Sequence, residues 1–263
     1  MNINIVLTGA NGRMGRTIHN LLVQDKFFNI AGLVVHVSEL EAAGAYFGSP
    51  VSANLEESLS DVANPVIIDF TSPDASLAFA RIAAKTGTRH VIGTTGLNDL
   101  QKSELADLAE KTPIFWSPNM SVGINVLLKF LPDLAQAFGQ EYDVEIMEIH
   151  HKKKKDSPSG TALRLGEVLA QAKGWSMENS ACYHREGITG ERPQRQIGMQ
   201  TLRGGDVVGV HTVYFMGPGE RIELTHQAHS RENFAGGALR AARWIADKPA
   251  GKLYSMQDVL QSA

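Results

Sequence analysis

The chain has 263 residues, 43% of them hydrophobic, which suits one large or two modest domains with a sizeable core and excludes a disordered protein. A net charge of -3 gives no general attraction to nucleic acid, so a basic patch is a local feature. No apolar run is long enough to span a bilayer, and the single cysteine, Cys182, excludes an intrachain disulfide and agrees with a reducing compartment. Met1 to Asn4 carries no basic start or cleavage pattern, so no secretory signal is expected and a cytoplasmic location is.

Ile3 to Thr8 is a short β-branched run of the kind buried in a parallel sheet. It ends in Gly9-Ala10-Asn11-Gly12-Arg13-Met14-Gly15, after which Ile18, Leu21, Leu22 and Val23 recur in a helical pattern. Strand, glycine turn and helix in that order form a dinucleotide-binding context. Gly9 permits the tight turn, Gly12 lets the backbone approach a pyrophosphate, and Gly15 lets the helix pack close to the strand. The spacing is G-x-x-G-x-x-G, so Asn11 stands where the usual second glycine would be. A second strand is predicted over Ile30 to Val37. Its end, about 20 residues past the glycine loop, normally places an acid on the adenosine ribose diol. Val34-Val35-His36-Val37-Ser38 has none. That absence removes repulsion against a 2′-phosphate, and Arg13 and His36 supply positive charge, which tilts the expectation toward NADPH while leaving NADH open.

Strands predicted over Pro65 to Thr71, Arg89 to Ile92 and Pro113 to Trp116 alternate with helices running from Ser72-Pro73-Asp74 to Lys85 and from Asn98 to Lys111. The alternation implies an α/β, Rossmann-like, doubly wound parallel sheet. Ligands of such sheets sit beyond the carboxyl ends of the strands. Gly93-Thr94-Thr95-Gly96 and Ser117-Pro118-Asn119-Met120 occupy two of those ends, and with the first glycine loop they form the candidate cofactor site.

After Ser121 the texture changes. A helix from Val122 to Phe138 leads to a strand over Asp143 to Ile149, the loop that begins at His150, and a helix from about Ser159 to Lys173. Gln196 to Leu202, Val207 to Phe215 and Arg221 to His229 then read as strands with no helix between them. This predicts a smaller α+β domain with a mixed, open-faced sheet, and the uncovered face is a natural oligomer surface. The helix Glu232 to Ala246 and the short Met256 to Gln261 are expected to rejoin the first domain. The expected division is 1–121 plus 231–263 for the dinucleotide domain, and 122–230 for substrate binding and oligomerisation.

His150-His151-Lys152-Lys153-Lys154-Lys155-Asp156-Ser157-Pro158-Ser159-Gly160-Thr161 carries the chemistry. Ser159 is a candidate N-cap, and the N–H groups near Gly160 and Thr161 form a helix start that favours an anion. A run of four lysines is by default a solvated loop. Imidazole and ammonium groups beside an anion-binding helix start are, however, what proton transfer to an acidic substrate needs. No metal is expected, because the cluster lacks a carboxylate or thiolate ligand set.

These residues resemble one family, the dihydrodipicolinate reductases of bacterial lysine and diaminopimelate synthesis. The resemblance rests on the Gly9–Gly15 loop, Asp69-Phe70-Thr71, Gly93-Thr94-Thr95-Gly96 and Asn119-Met120-Ser121-Val122-Gly123-Ile124-Asn125. It continues through Glu148-Ile149-His150-His151, Lys154, Asp156, Pro158-Ser159-Gly160-Thr161-Ala162 and Gly209-Val210-His211-Thr212-Val213. It implies that Gly9 to Met14, Gly93 to Thr95 and Ser117 to Met120 hold NADPH or NADH. It further implies that His150 is the proton donor and Lys154 a second acid, and that His151, Gly160 and Thr161 bind a small cyclic dicarboxylate. A homotetramer built through the second sheet is implied too. The family often has Glu-Arg where Val35-His36 stands, which leaves the cofactor preference open. Two other readings are a different amino-acid-pathway dehydrogenase on the same chassis and a non-catalytic dinucleotide sensor. The Lys154-to-Thr161 segment weighs against the first, and the acidic charge balance and absence of interleaved aromatics against the second.

Overall fold

The computed structural model describes residues 2–47 and 51–261; residues 1, 48–50 and 262–263 of the expected domains lie outside them. The chain divides after Val122 and again after Ser230, so that its two flanks form one unit and Gly123–Ser230 the other.

The first unit runs β1 (Ile3–Thr8), α1 (Arg13–Gln24), β2 (Phe28–Val34), α2 (Leu40–Phe47), α3 (Leu55–Leu59), β3 (Val66–Asp69), α4 (Pro73–Thr86), β4 (Arg89–Ile92), α5 (Asp99–Ala109) and β5 (Ile114–Trp116). The second contains α6 (Val122–Ala137), β6 (Asp143–His150), α7 (Gly160–Ala172), α8 (Met177–Ser180), β7 (Ala181–Cys182), β8 (Ile197–Arg203), β9 (Gly209–Gly217) and β10 (Glu220–Ala228). The chain then returns to the first unit with α9 (Glu232–Ile245), β11 (Leu253–Tyr254) and α10 (Met256–Gln261).

The first sheet has the order β11-β5-β4-β3-β1-β2 and every pairing in it is parallel. After β1 the chain moves outward to β2 and then crosses to β3 on the other side. The β1/β3 boundary is therefore the switch point where an open α/β sheet binds ligand. Ile5, Leu7, Val66, Ile68 and Val91 are fully buried in one face and pack with Ile18 and Leu22 of α1 and Ala238, Ala242 and Ile245 of α9. Val6 and Ile67 enter a smaller cluster on the other face with Leu55 and Leu59 of α3, so α3 is held by the same sheet.

The second sheet has the order β10-β9-β6-β8-β7. β6 pairs parallel with β8 and antiparallel with β9, so the sheet is mixed. One face of β6 is buried at Val144, Ile146, Glu148 and His150. Val144 and Ile146 pack with Leu165 and Leu169 of α7 and Leu131 and Ala135 of α6. On the opposite face Glu145, Met147 and Ile149 are half-buried, and β10 is exposed along most of its length.

Three local differences from the sequence reading have physical causes. β2 stops at Val34 instead of Val37, because His36 caps a short 3-10 turn over Val37–Glu39, its Nδ1 accepting from the Ser38 N–H. Helices α2 and α3 went unassigned, since each is short and α2 buries only Ala43. β6 continues through His150, whose register partner on β8 is Arg203. His150 therefore sits on a strand end, not in the loop.

Candidate active site

In the first unit the Gly9 loop is built by close contacts. Gly9 takes φ +63°, a conformation that favours glycine, and a Cβ there would meet the Thr71 methyl at 2.7 Å. A Cβ on Gly15 would lie 2.2 Å from the Gly9 carbonyl oxygen, so only glycine lets α1 approach β1 this closely. Gly12 is the N-cap of α1; no side chain caps this helix and no acid lies in its first turn. Those features leave the positive end of the helix to an anion, and they fit the pyrophosphate of a dinucleotide. The expected break in the glycine spacing also has a role: Asn11 accepts from Arg16 at 2.7 Å, and the Arg16 guanidinium lies 4.1 Å over the Tyr46 ring.

The other candidate cofactor residues divide by what they expose. Arg13, His36, Thr95 and Pro118 are exposed. Ala10 and Met120 turn their side chains into the core and offer only backbone to a ligand. Thr94 is buried, accepting from the Thr71 N–H at 3.0 Å and the Ser76 hydroxyl at 2.7 Å, while Trp116 donates to its carbonyl. Gly93 packs against the Phe70 ring, which a Cβ would meet at 2.2 Å. Ser117 donates to the Asn119 carbonyl and the Asn119 side chain accepts from the Ser121 N–H, so this loop is self-bonded. Asp69 lies beneath these loops at the end of β3, accepting from Thr8 at 3.0 Å and Thr71 at 2.7 Å. Burial works to raise the Asp69 carboxyl, but His90, Ser76 and Thr71 outweigh it and hold it below the usual carboxylate range. The His90 Nε2 is 3.6 Å from Oδ2, longer than a hydrogen bond.

In the second unit the strand period builds the site. Glu148 and His150 are two residues apart on the buried face of β6, and the registers set Thr201 and His211 opposite Glu148 and Arg203 opposite His150. The Glu148 side chain is 1% exposed. Its Oε1 accepts from the Ser159 N–H at 2.9 Å, Arg203 at 2.9 Å and Thr201 at 3.3 Å. Its Oε2 accepts from Arg203 at 2.8 Å and meets the His150 Nδ1 at 2.5 Å. Burial pushes the Glu148 carboxyl up, but His150, Arg203 and the Ser159 N–H together bring it down to about 2. The carboxylate is therefore ionised across the physiological range.

Ser159 caps α7 by accepting from the Ala162 N–H at 3.2 Å, and its Oγ is 2.9 Å from the His211 Nε2. Burial first, then the neighbouring His150, lowers His211 to about 3, so this ring is neutral. The His150 and His211 rings are 5.1 Å apart, edge to face. A Cβ on Gly209 would stand 3.0 Å from the His150 Nε2, so any side chain there would press on that nitrogen; the His150 side chain is 11% exposed. Gly160 faces open space at the start of α7. His151 anchors the loop through its N–H to the Val207 carbonyl at 2.8 Å. Among the four lysines only Lys154 is partly buried, and its Nζ pairs with Asp156 at 2.8 Å.

Of the predicted residues, His150 and Ser159 thus join one hydrogen-bonded cluster, and Lys154 and Asp156 pair in the same loop. The sequence reading quoted Glu148 only as part of a motif, gave it no role beside His150, and did not bring Thr201 or Arg203 to the site. Glu148 had a signal, its position two residues before His150 on a strand. Among the described residues no group of acids, histidines and cysteines could hold a metal ion.

Comparison with known proteins matches nearly the whole length of the chain. Residues 3–120 fit the family described as "Dihydrodipicolinate reductase, N-terminus" and residues 123–260 the corresponding C-terminus. The chain belongs to the dihydrodipicolinate reductase family. A relative from Nitratidesulfovibrio vulgaris (strain Miyazaki F), named 4-hydroxy-tetrahydrodipicolinate reductase, is 57% identical over 260 residues, covering 99% of this chain and 100% of the relative. Another of that name, from Oleidesulfovibrio alaskensis, is 56% identical with the same coverage. Among solved structures, the dipicolinate-bound dihydrodipicolinate reductase from Paenisporosarcina sp. TG-14 superposes with a TM-score of 0.78 at 25% identity, covering 97% of this chain and 98% of that one.

Proposed function

We infer that this chain is an NAD(P)H-dependent oxidoreductase that reduces 4-hydroxy-tetrahydrodipicolinate, or its dehydrated form dihydrodipicolinate, to tetrahydrodipicolinate in lysine and diaminopimelate synthesis. The observation that carries this is the end-to-end identity with relatives of that name. A bound reduced nicotinamide supplies the hydride. Everything else falls to the chain's own residues.

In the first unit, Gly9 to Met14, Gly93 to Thr95, Ser117 to Met120 and His36 hold the dinucleotide, with the open start of α1 on its pyrophosphate. In the second unit, His151, Gly160 and Thr161 bind the substrate's carboxylates, and the α7 start offers N–H groups to one of them. His150 delivers the proton and Lys154 assists as a second acid. The half-buried position of Lys154 supports choosing it from the run. The enzyme works in the cytoplasm as a homotetramer assembled through the uncovered sheet face; Leu202, 45% exposed on β8 and register partner of Ile149 on that face, supports such an interface.

The reading is tested by following nicotinamide oxidation with substrate generated enzymatically in the same cuvette. Oxidation that depends on that substrate is the expected result. No oxidation with either NADPH or NADH would overturn it.

A further inference from the structure

A histidine that donates a proton needs its ring held in one orientation and one tautomer. We propose that Glu148, anchored by Arg203, is the positioning residue for proton delivery: its carboxylate holds the His150 ring with the Nδ1–H turned inward and leaves Nε2 as the atom that carries the transferred proton. The proposal rests on the reading of His150 as proton donor.

The first support is that the geometry comes from backbone and not from a mobile loop. Glu148 and His150 lie on a strand that is hydrogen-bonded on both sides, by β8 and by β9. The strand period of two puts both side chains on one face, with Nδ1 2.5 Å from Oε2.

The second is that the carboxylate has no freedom to swing away. Arg203 grips both oxygens, at 2.8 and 2.9 Å, and the same guanidinium donates to the Asp156 carbonyl at 2.7 Å. Ser159 and Thr201 occupy further acceptor positions. An ionised carboxylate accepts only, so the proton in its contact with His150 belongs to Nδ1. That assigns the tautomer: when the ring is neutral, Nε2 carries the lone pair.

The third is the room kept beside Nε2. Gly209 has no side chain to cover Nε2. On transfer the Nε2–H bond breaks, its electron pair stays on Nε2, and the proton passes to the substrate; the Nδ1–H remains on Glu148. Water reloads Nε2.

The fourth is the contrast with His211. That ring, 5.1 Å away, is bonded through Nε2 to Ser159, while its Nδ1 is buried with no hydrogen-bond partner among the described residues. Two adjacent imidazoles therefore have different partners, and only that of His150 is hydrogen-bonded to the carboxylate. The charged and titratable groups around His150 are Glu148 on β6, Arg203 on β8, His211 on β9 with His226 opposite it on β10, and the Lys154–Asp156 pair.

The test compares Glu148→Gln and Glu148→Asp with His150→Gln in steady-state kinetics over a pH range. Glu148→Gln is expected to lower kcat by about 10² to 10⁴-fold with KM within a few-fold, the upper figure being that for loss of the carboxylate that orients a catalytic histidine. It is also expected to move the alkaline limb of the kcat profile to lower pH, because the imidazolium loses its counter-charge. Glu148→Asp, which keeps the charge, should retain that limb while losing kcat. A purely structural role would scale kcat with the folded fraction and leave the profile where it was; that result overturns the proposal. Should Glu148→Gln fail to fold, ring 15N shifts of His150 in the wild-type protein decide instead. Nδ1 protonated throughout the titration supports the proposal, and a lone pair on Nδ1 in the neutral ring overturns it. Full turnover in His150→Gln would remove the donor reading and the proposal with it, whereas an inactive His150→Gln beside an unshifted Glu148→Gln profile removes the proposal alone.

Discussion

Arg203 holds Glu148 in a two-pronged ion pair, 2.8 and 2.9 Å from the two carboxylate oxygens, although 55 residues separate them in the chain. Parallel pairing of β6 with β8 brings them together, through the Glu148↔Thr201 and His150↔Arg203 register. The Glu148 side chain is almost fully buried, so breaking one partner strands the other, which is costlier than the pair is worth.

The acid stability of the protein should report this pair. Glu148 titrates at about 2 in the folded protein against an ordinary 4.5, so the folded state favours its ionised form. That contribution, up to about 3 kcal/mol by linkage, is fully present above the ordinary glutamate value and is lost as pH falls from there toward 2. Denaturant midpoints measured through that window should fall steeply in the wild type and less steeply in Glu148→Gln.

Gly209→Ala should separate access to His150 from folding. The added Cβ would lie 3.0 Å from Nε2 and 3.4 Å from Cδ2, which forces the ring to shift by a few tenths of an ångström. Turnover is expected to fall about tenfold, in line with the sensitivity of catalysis to small misplacements. The melting temperature should stay within a few degrees, because the glycine is at the start of a strand and has no left-handed backbone.

Two glycines of the first loop should behave differently. Gly15→Ala places a Cβ 2.2 Å from one backbone carbonyl oxygen and 2.5 Å from another, neither of which can yield, so a loss of about 3 kcal/mol or more is expected in chemical denaturation. Gly12 meets its nearest neighbour at 3.2 Å and lies at the open helix start. Gly12→Val should therefore fold but lose dinucleotide affinity in calorimetry.

Much of this was legible in the sequence because it depends on local pattern. The apolar runs of β1, β3, β4 and β5, the Gly9 loop and the Ser159 cap all follow from short-range rules. The Glu148 cluster was not, since an acid is a plausible surface residue until its partner is known, and Arg203 is supplied by strand register. The strand expected over Ile30 to Val37 did not separate Val35 from His36, yet Val35 is 4% exposed and packs in the core, whereas His36 is exposed.

Cofactor choice should accordingly be set at His36. NADPH is expected to serve at least as well as NADH, and a preference for NADH above about tenfold, roughly 1.4 kcal/mol of transition-state discrimination, would contradict that. His36→Glu should shift the kcat/KM ratio toward NADH by repelling a 2′-phosphate. A glutamate at Val35 would instead bury a carboxylate and destabilise the fold.

The most direct measurement is the division of kcat from KM in His150→Gln, with single alanine variants of Lys152, Lys153, Lys154 and Lys155 alongside. A proton donor acts in the transition state, so His150→Gln should lower kcat by about 10² to 10⁴ and leave KM within a few-fold. Lys154→Ala should harm both constants, while its neighbours matter little. If His150→Gln turns over at the wild-type rate, or Lys153→Ala costs as much as Lys154→Ala, proton delivery does not belong to these two residues.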